Sequence, residues 1–365
     1  MKRLILLLLL CSCIVVGCAS EDFKVYRTKS FQYGEIVEIE EGDKLQLFKD
    51  SLYLIPEVTF PDNDLKGQVE FRKIAPNLLS KKSTLLELTN LEYPIVRLRS
   101  FSSGSNPSGE LTVFNSNNQV GIIESPEKYI PISPKMKQEK GDYIGTGTFT
   151  NGENVIMFFE ETNRIYTLTR WDKQKKINKE ATLTAITKEK NLSVENMAVF
   201  EDKLYVYSYK SNKVYVISQD LKLLHAWNIE GEMRKVVPEK WGSSVGFAIQ
   251  RELNELFIYN YVQPEQGIYK ISKNGLKKLE YGQEKYKDMY LCANGRFNSL
   301  YEKQIIPIDS NEVYQKVLTA DGDYYFTTSK DLSHPQKEPE EGKAYLNKVS
   351  KKKLPSFLDS LKSKE

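Results

Sequence analysis

Only two histidines occur in the 365-residue chain, His225 and His334, so imidazole chemistry of any kind must pass through one of them. His225 lies between Leu224 and Ala226 in a run with strand character, and His334 sits in the polar stretch 330–343. No His cluster at metal-ligand spacing is present, and both residues are expected to be structural or solvated. Asp62-Asn63-Asp64-Leu65-Lys66-Gly67 begins like a calcium loop, but Lys66 takes a ligand position and Lys73 stands where a bidentate Glu belongs. Gly145-Thr146-Gly147-Thr148 lacks the third glycine and the helix of a dinucleotide fingerprint, and is expected to start a strand. No Gly-x-Ser-x-Gly elbow and no Ser-x-Asp-x-Gly-x-Thr box occurs. The acid pairs Glu160-Glu161 and Glu40-Glu41 would point to opposite faces of a strand and so would not converge as glycoside hydrolysis requires. These residues imply no metal and no cofactor, and leave catalytic residues unassigned.

The four cysteines separate by position. Cys11 and Cys13 fall in the apolar run from Leu4 to Val16, behind Lys2 and Arg3. That run is short of the roughly 20 residues needed to span a bilayer and has the form of a signal peptide. It ends in Val15-Val16-Gly17-Cys18, which resembles the lipobox of bacterial lipoproteins. The resemblance implies cleavage before Cys18 and acylation, with palmitate-type chains, of its thiol and new amino group. At about 0.8 kcal/mol per buried CH₂ such an anchor is effectively permanent. Ala19-Ser20-Glu21-Asp22 follows. The position after Cys18 lacks the Asp that signals inner-membrane retention in enterobacteria, and the acidic pair resembles surface-export signals of Bacteroidetes lipoproteins. The expected location is the cell envelope, at the outer membrane or cell surface if the host is Gram-negative. Cys292 would then be the one thiol of the mature chain; its neighbours Tyr290, Leu291 and Ala293 predict a buried small hydrophobe.

Loss of Lys2 and Arg3 leaves 50 basic against 49 acidic residues, with no block of like charge in the main body. Nucleic acid is therefore not an expected partner. The 22 tyrosines and three tryptophans offer ring platforms for sugar or protein contacts. Tyr205, Tyr207, Tyr215 and Tyr259, however, fall inside strand-like runs where aromatic side chains pack the pleat, and core packing is the expectation for them.

The elements that must position these residues are strands. Short runs of Tyr, Val, Ile and Phe alternate with Asn, Asp, Gly, Lys and Ser, most clearly in Asn196–Phe200, Leu204–Ser208, Lys213–Ile217 and Leu223–Trp227, with turns at Glu201-Asp202-Lys203 and Ser211-Asn212. The pattern recurs in 153–166 and 254–269 and more weakly in 110–121. Aligning the apolar residue after the turn gives Val120, Ile165, Val214 and Ile268, close to the roughly 40 to 50 residues of a four-stranded propeller blade. Asn suits such turns because it tolerates positive φ. Flanks around Leu52–Ile55 and Tyr324–Phe326 would supply further blades. A double β-sandwich is the alternative architecture.

The segment Asn196–Trp227 resembles an NHL-type propeller repeat, and the chain from about 31 to 330 is similar to the TolB-like six-bladed β-propeller lipoproteins of the Bacteroidetes. It departs from that grammar at Tyr207-Ser208-Tyr209, where Asp-Ser or Asp-Thr is usual. The expected organisation is a signal peptide over 1–17, lipid anchor and linker over 18–30, an all-β six-bladed propeller over 31–330, with five or seven blades as alternatives, and a polar, lysine-rich tail over 331–365. In that tail 351–361 has the pattern of one short helix, with Phe357, Leu358 and Leu361 on a face. The expected role is a non-catalytic envelope module that binds a protein or a glycan. The alternatives are a propeller hydrolase or lyase acting on a polysaccharide, and a structural part of an envelope complex.

Overall fold

The computed structural model describes residues 27–40, 42–48, 51–55, 67–74, 83–88, 96–99, 111–115, 120–131, 142–148, 154–161, 165–172, 178–229, 245–250, 252–260, 267–293, 296–308, 317–320, 322–334 and 336–362. Cys18 and the Asp62–Lys66 part of the calcium-loop-like motif lie outside them, and its Gly67 begins a strand. No helix among the described residues is long and apolar enough to cross a membrane.

The strands assemble into a ring of antiparallel sheets, the arrangement of a β-propeller. Five are regular four-stranded blades over residues 44–88, 96–131, 142–182, 194–228 and 245–278, each strand pairing with the next in sequence. A three-stranded sheet covers 290–307, and a five-stranded sheet joins 317–350 to the strands Thr28–Phe31 and Gly34–Glu40. The expectation of six blades is corrected: the described residues form seven sheets, five of them regular blades. The sheet at 290–307 was not foreseen because its strands Tyr290–Ala293, Arg296–Ser299 and Ile305–Pro307 are only three or four residues long, too short for a period-2 pattern to register.

The sequence alignment, by contrast, holds. Val120, Ile165 and Ile268 each begin the third strand of their blade, and Val214 is the second residue of its own. The turn chemistry also holds. Glu201 and Asp202 have φ of 45° and 59° between the paired residues Phe200 and Lys203, the two-residue hairpin whose twist matches the flanking strands. Asn212 has φ 50° and its side chain donates to the Ile229 carbonyl at 2.6 Å, tying the turn to the end of the outer strand.

Middle strands are buried on both faces because each blade is sandwiched between neighbours, so they appear as near-continuous apolar runs. Alternation then decides which neighbour each side chain meets. From strand Lys203–Ser208, Leu204 and Val206 pack with Tyr166, Leu168 and Leu183 of the preceding blade, while Tyr205 and Tyr207 pack with Phe247, Leu256 and Ile258 of the following one. From strand Glu255–Asn260, Phe257 and Tyr259 face onward to Tyr286 and Leu291. Tyr205, Tyr207, Tyr215 and Tyr259 are all at most 4% exposed, which places them in the core as expected.

Residues 343–362, expected as part of a polar tail over 331–365, instead complete the ring. Strand Lys343–Ser350 pairs with Gly34–Glu40 in register from Gly34↔Val349 to Glu40↔Lys343 and with Asp323–Thr328 on its other side. Leu346 joins Val37, Ile39, Leu45, Leu52 and Tyr325 in one cluster, so the closing sheet packs on the first blade. The C-terminal helix Leu354–Lys362 follows. Phe357 and Leu358 are buried, and the Phe357 ring lies 5.6 Å from those of Tyr33 and Phe326. The helix foreseen in the sequence is therefore a packed element of the propeller.

Candidate functional site

A cleft of about 390 Å³ opens between the blades 194–228 and 245–278, within the size range of small-ligand sites. One wall is a face of the first blade. Tyr205, Val216 and His225 are cross-strand partners on it, and Trp227, two residues beyond His225, projects to the same side. The other wall is formed by Leu256, Ile271 and the turn Ser272–Gly275 of the second blade.

The floor follows from burial. Tyr205 and Val216 belong to the cluster shared by the two blades, but the outer strand Leu223–Asn228 is exposed along nearly its whole length. A register shift between Val216 and Ile217 leaves Leu224 as an extra residue on that strand. Such a bulge re-aims neighbouring side chains. Beyond it, the His225 and Trp227 rings stack in parallel, 5.4 Å between centroids and 14° between planes. In the turn opposite, residue 275 is glycine with φ +127°, a conformation unfavourable for other residues; a Cβ there would only be in ordinary contact, 3.9 Å from Trp227 Nε1.

The rim is charged. Glu255 is ion-paired to Lys270 and lies 3.5 Å from Lys285 Nζ, and it accepts a hydrogen bond of 2.9 Å from the Tyr286 hydroxyl. Burial pushes the Glu255 carboxyl up, yet the hydrogen bonds from Lys270 and Tyr286 and the lysine charges outweigh it and hold the group below its ordinary range. Tyr286 is pushed up to about 12 by burial and by the Glu255 carboxylate, and Tyr205 to about 12 by burial and by Glu201. Both phenols, neutral at physiological pH in any case, stay neutral to still higher pH. Lys203 and Lys273 also line the cleft and form no ion pair among the described residues.

The remaining expected positions are dispersed. His334 lies in an exposed turn. Its Nδ1 is 3.2 Å from Asp331 Oδ2 and 2.9 Å from Ser333 Oγ, and Ser333 Oγ donates to Asp331 Oδ1 at 2.5 Å. A hydrolytic triad needs the acid and the hydroxyl on opposite ring nitrogens; here both meet Nδ1, so the trio is a turn staple around the 6% exposed Asp331, which Lys29 also approaches at 3.6 Å. Cys292 is in strand Tyr290–Ala293 and Gly145–Thr148 in strand Asp142–Thr148; their side chains lie outside the description. Glu160 and Glu161 end strand Asn154–Glu161, and Glu40 ends Gly34–Glu40. No group of three or more His, Cys, Asp or Glu able to hold a metal converges among the described residues.

Sequence reasoning named His225 but missed its partners. Trp227 and Tyr205 were visible as aromatic residues two strands apart, but the turn 272–275 is about 45 residues away, and only the ring brings it alongside.

No protein-family model matches the chain, and no curated protein matches it in sequence. In three dimensions it is similar to an oligogalacturonate lyase in complex with manganese, at TM-score 0.51 and 9% identity, over 90% of this chain and 97% of that one. It is also similar to virginiamycin B lyase from Staphylococcus aureus, at 0.46 and 14%, over 86% and 99%, and to a protein of unknown function from Bacteroides thetaiotaomicron, at 0.36 and 11%, over 89% and 98%. At such identities the first likeness shows the fold alone.

Proposed function

We propose that this chain is an exported lipoprotein, tethered to the cell envelope by lipid on Cys18, whose propeller is a non-catalytic binding module for an envelope protein or glycan. The TolB-like or NHL relationship suggested by the sequence belongs to this reading in its coarser form, a propeller behind a lipobox, without the six blades. The observation that carries the binding role is the inter-blade cleft: a stacked pair of rings on an exposed strand, held by a rigid double-walled core, with cations on the rim. Aromatic rings presented on a rigid scaffold are what recognition surfaces use, because little conformational entropy is lost on binding. The anchoring half rests on Lys2-Arg3, the apolar run and Val15-Val16-Gly17-Cys18.

The test is co-purification from crosslinked, detergent-solubilised native membranes, with Cys18→Ala as the untethered control and Trp227→Ala as the cleft control. The reading expects a stoichiometric envelope component with the lipidated chain that is lost from both controls. Recovery of the same component by Cys18→Ala and Trp227→Ala alike would contradict it.

A further inference from the structure

We infer that the cleft between the 194–228 and 245–278 blades is a site for an acidic sugar, with a pyranose ring lying on the His225–Trp227 stack and its carboxylate held by Lys203 and Lys273. This rests on the reading of the propeller as a binding module and names its ligand class.

The argument begins with the rings. His225 is exposed on the outer strand, and Trp227, although it packs against the cluster shared by the two blades, keeps part of its ring open to solvent. Stacked in parallel 5.4 Å apart, they present an apolar platform with polar edges, the shape that complements a sugar face. The volume of 390 Å³ suits one or two pyranose units better than an extended peptide.

Charge then narrows the class. Lys270 is occupied by Glu255, and Glu255 is held further by Lys285 and Tyr286, so that cluster is satisfied internally. Lys203, at the start of its strand just after the 201–202 turn, and Lys273, in the turn 272–275, are left, with Glu201 as the nearby acid. Two cations from opposite walls, without acidic partners among the described residues, favour an anion between them. The Tyr205 hydroxyl, neutral at physiological pH, adds a donor for a ring hydroxyl.

The experiment is isothermal titration calorimetry on the full lipidated chain in detergent micelles, with a hexuronate trisaccharide, its carboxyl-reduced neutral counterpart and a nucleoside monophosphate as probes. The uronate is expected to bind at least about tenfold tighter than the neutral sugar. Trp227→Ala should weaken both sugars about tenfold or more, as loss of an aromatic anchor does. Lys273→Glu, on an exposed turn where the fold tolerates it, should weaken the uronate about tenfold and leave the neutral sugar unchanged. Equal affinity for the two sugars, preference for the nucleotide, uronate binding indifferent to both variants, or no binding in any arm would each overturn the inference. An envelope component still lost with Trp227→Ala in the co-purification would, in those cases, leave the binding-module reading standing.

Discussion

Replacing Leu346 by Ala tests whether the N- and C-terminal strands lock the propeller. Leu346 is 0% exposed, sits opposite Val37 and Thr327 in the closing sheet, and packs across to Leu45, Leu52 and Leu54 of the first blade. Three side-chain carbons are lost from a site walled by two hydrogen-bonded sheets, which collapse little around a void. The cost therefore belongs to the upper part of the range for buried Leu→Ala, about 3 to 5 kcal/mol. Leu224→Ala, at a side chain 42% exposed, should cost less than about 0.5 kcal/mol and serves as the matched control. Urea unfolding followed by circular dichroism reads both. A Leu346→Ala loss under about 1 kcal/mol, or equal to that of Leu224→Ala, would refute the reasoning, because a closing strand that matters to the ring cannot be so cheaply loosened.

Gly34→Ala should also destabilise, since a Cβ at that position would fall 1.8 Å from the Lys348 carbonyl oxygen of the closing strand; an overpacking loss of about 1 to 3 kcal/mol is expected in the same assay. Asn212→Ala removes the 2.6 Å bond to Ile229 from a residue at φ 50°, and should destabilise by about 1 to 3 kcal/mol, measured by thermal unfolding. Because the Glu255 carboxyl is held below its ordinary value of 4.5, the unfolded chain takes up its proton first on acidification. The stabilisation is present above the ordinary value and is lost as pH falls through the folded one, so Glu255→Gln should flatten that part of the acid limb in a stability–pH series. Mass spectrometry of the N-terminal peptide from native membranes should find it starting at acylated Cys18, and unprocessed or unacylated in Cys18→Ala.

Local features of this fold were legible and non-local ones were not. The spacing of Val120, Ile165, Val214 and Ile268 marked four third strands because a buried middle strand keeps its apolar run wherever it sits in the ring. Turns announced themselves through residues that tolerate positive φ, as Asn212 does. The closing strand was hidden for two reasons: Ala344-Tyr345-Leu346-Asn347-Lys348-Val349 carries a buried Asn that breaks the apolar run, and its partner Gly34–Glu40 is some 300 residues away, a pairing no local pattern encodes. The cleft was hidden for a related reason. His225 looks unremarkable between Leu224 and Ala226; its placement depends on a bulge visible only in the strand register and on a turn from the next blade.

The account's central claim, recognition through this cleft by an envelope-anchored chain, is tested most directly by placing a photoreactive benzoylphenylalanine at position 225 of the lipidated protein and irradiating native membranes. The account predicts a crosslink to an envelope glycan or protein that fades when Lys203 and Lys273 are both replaced by Glu, with a probe at the exposed position 338 giving none. Crosslinks confined to the protein's own neighbouring blade, or identical products from positions 225 and 338, would contradict it.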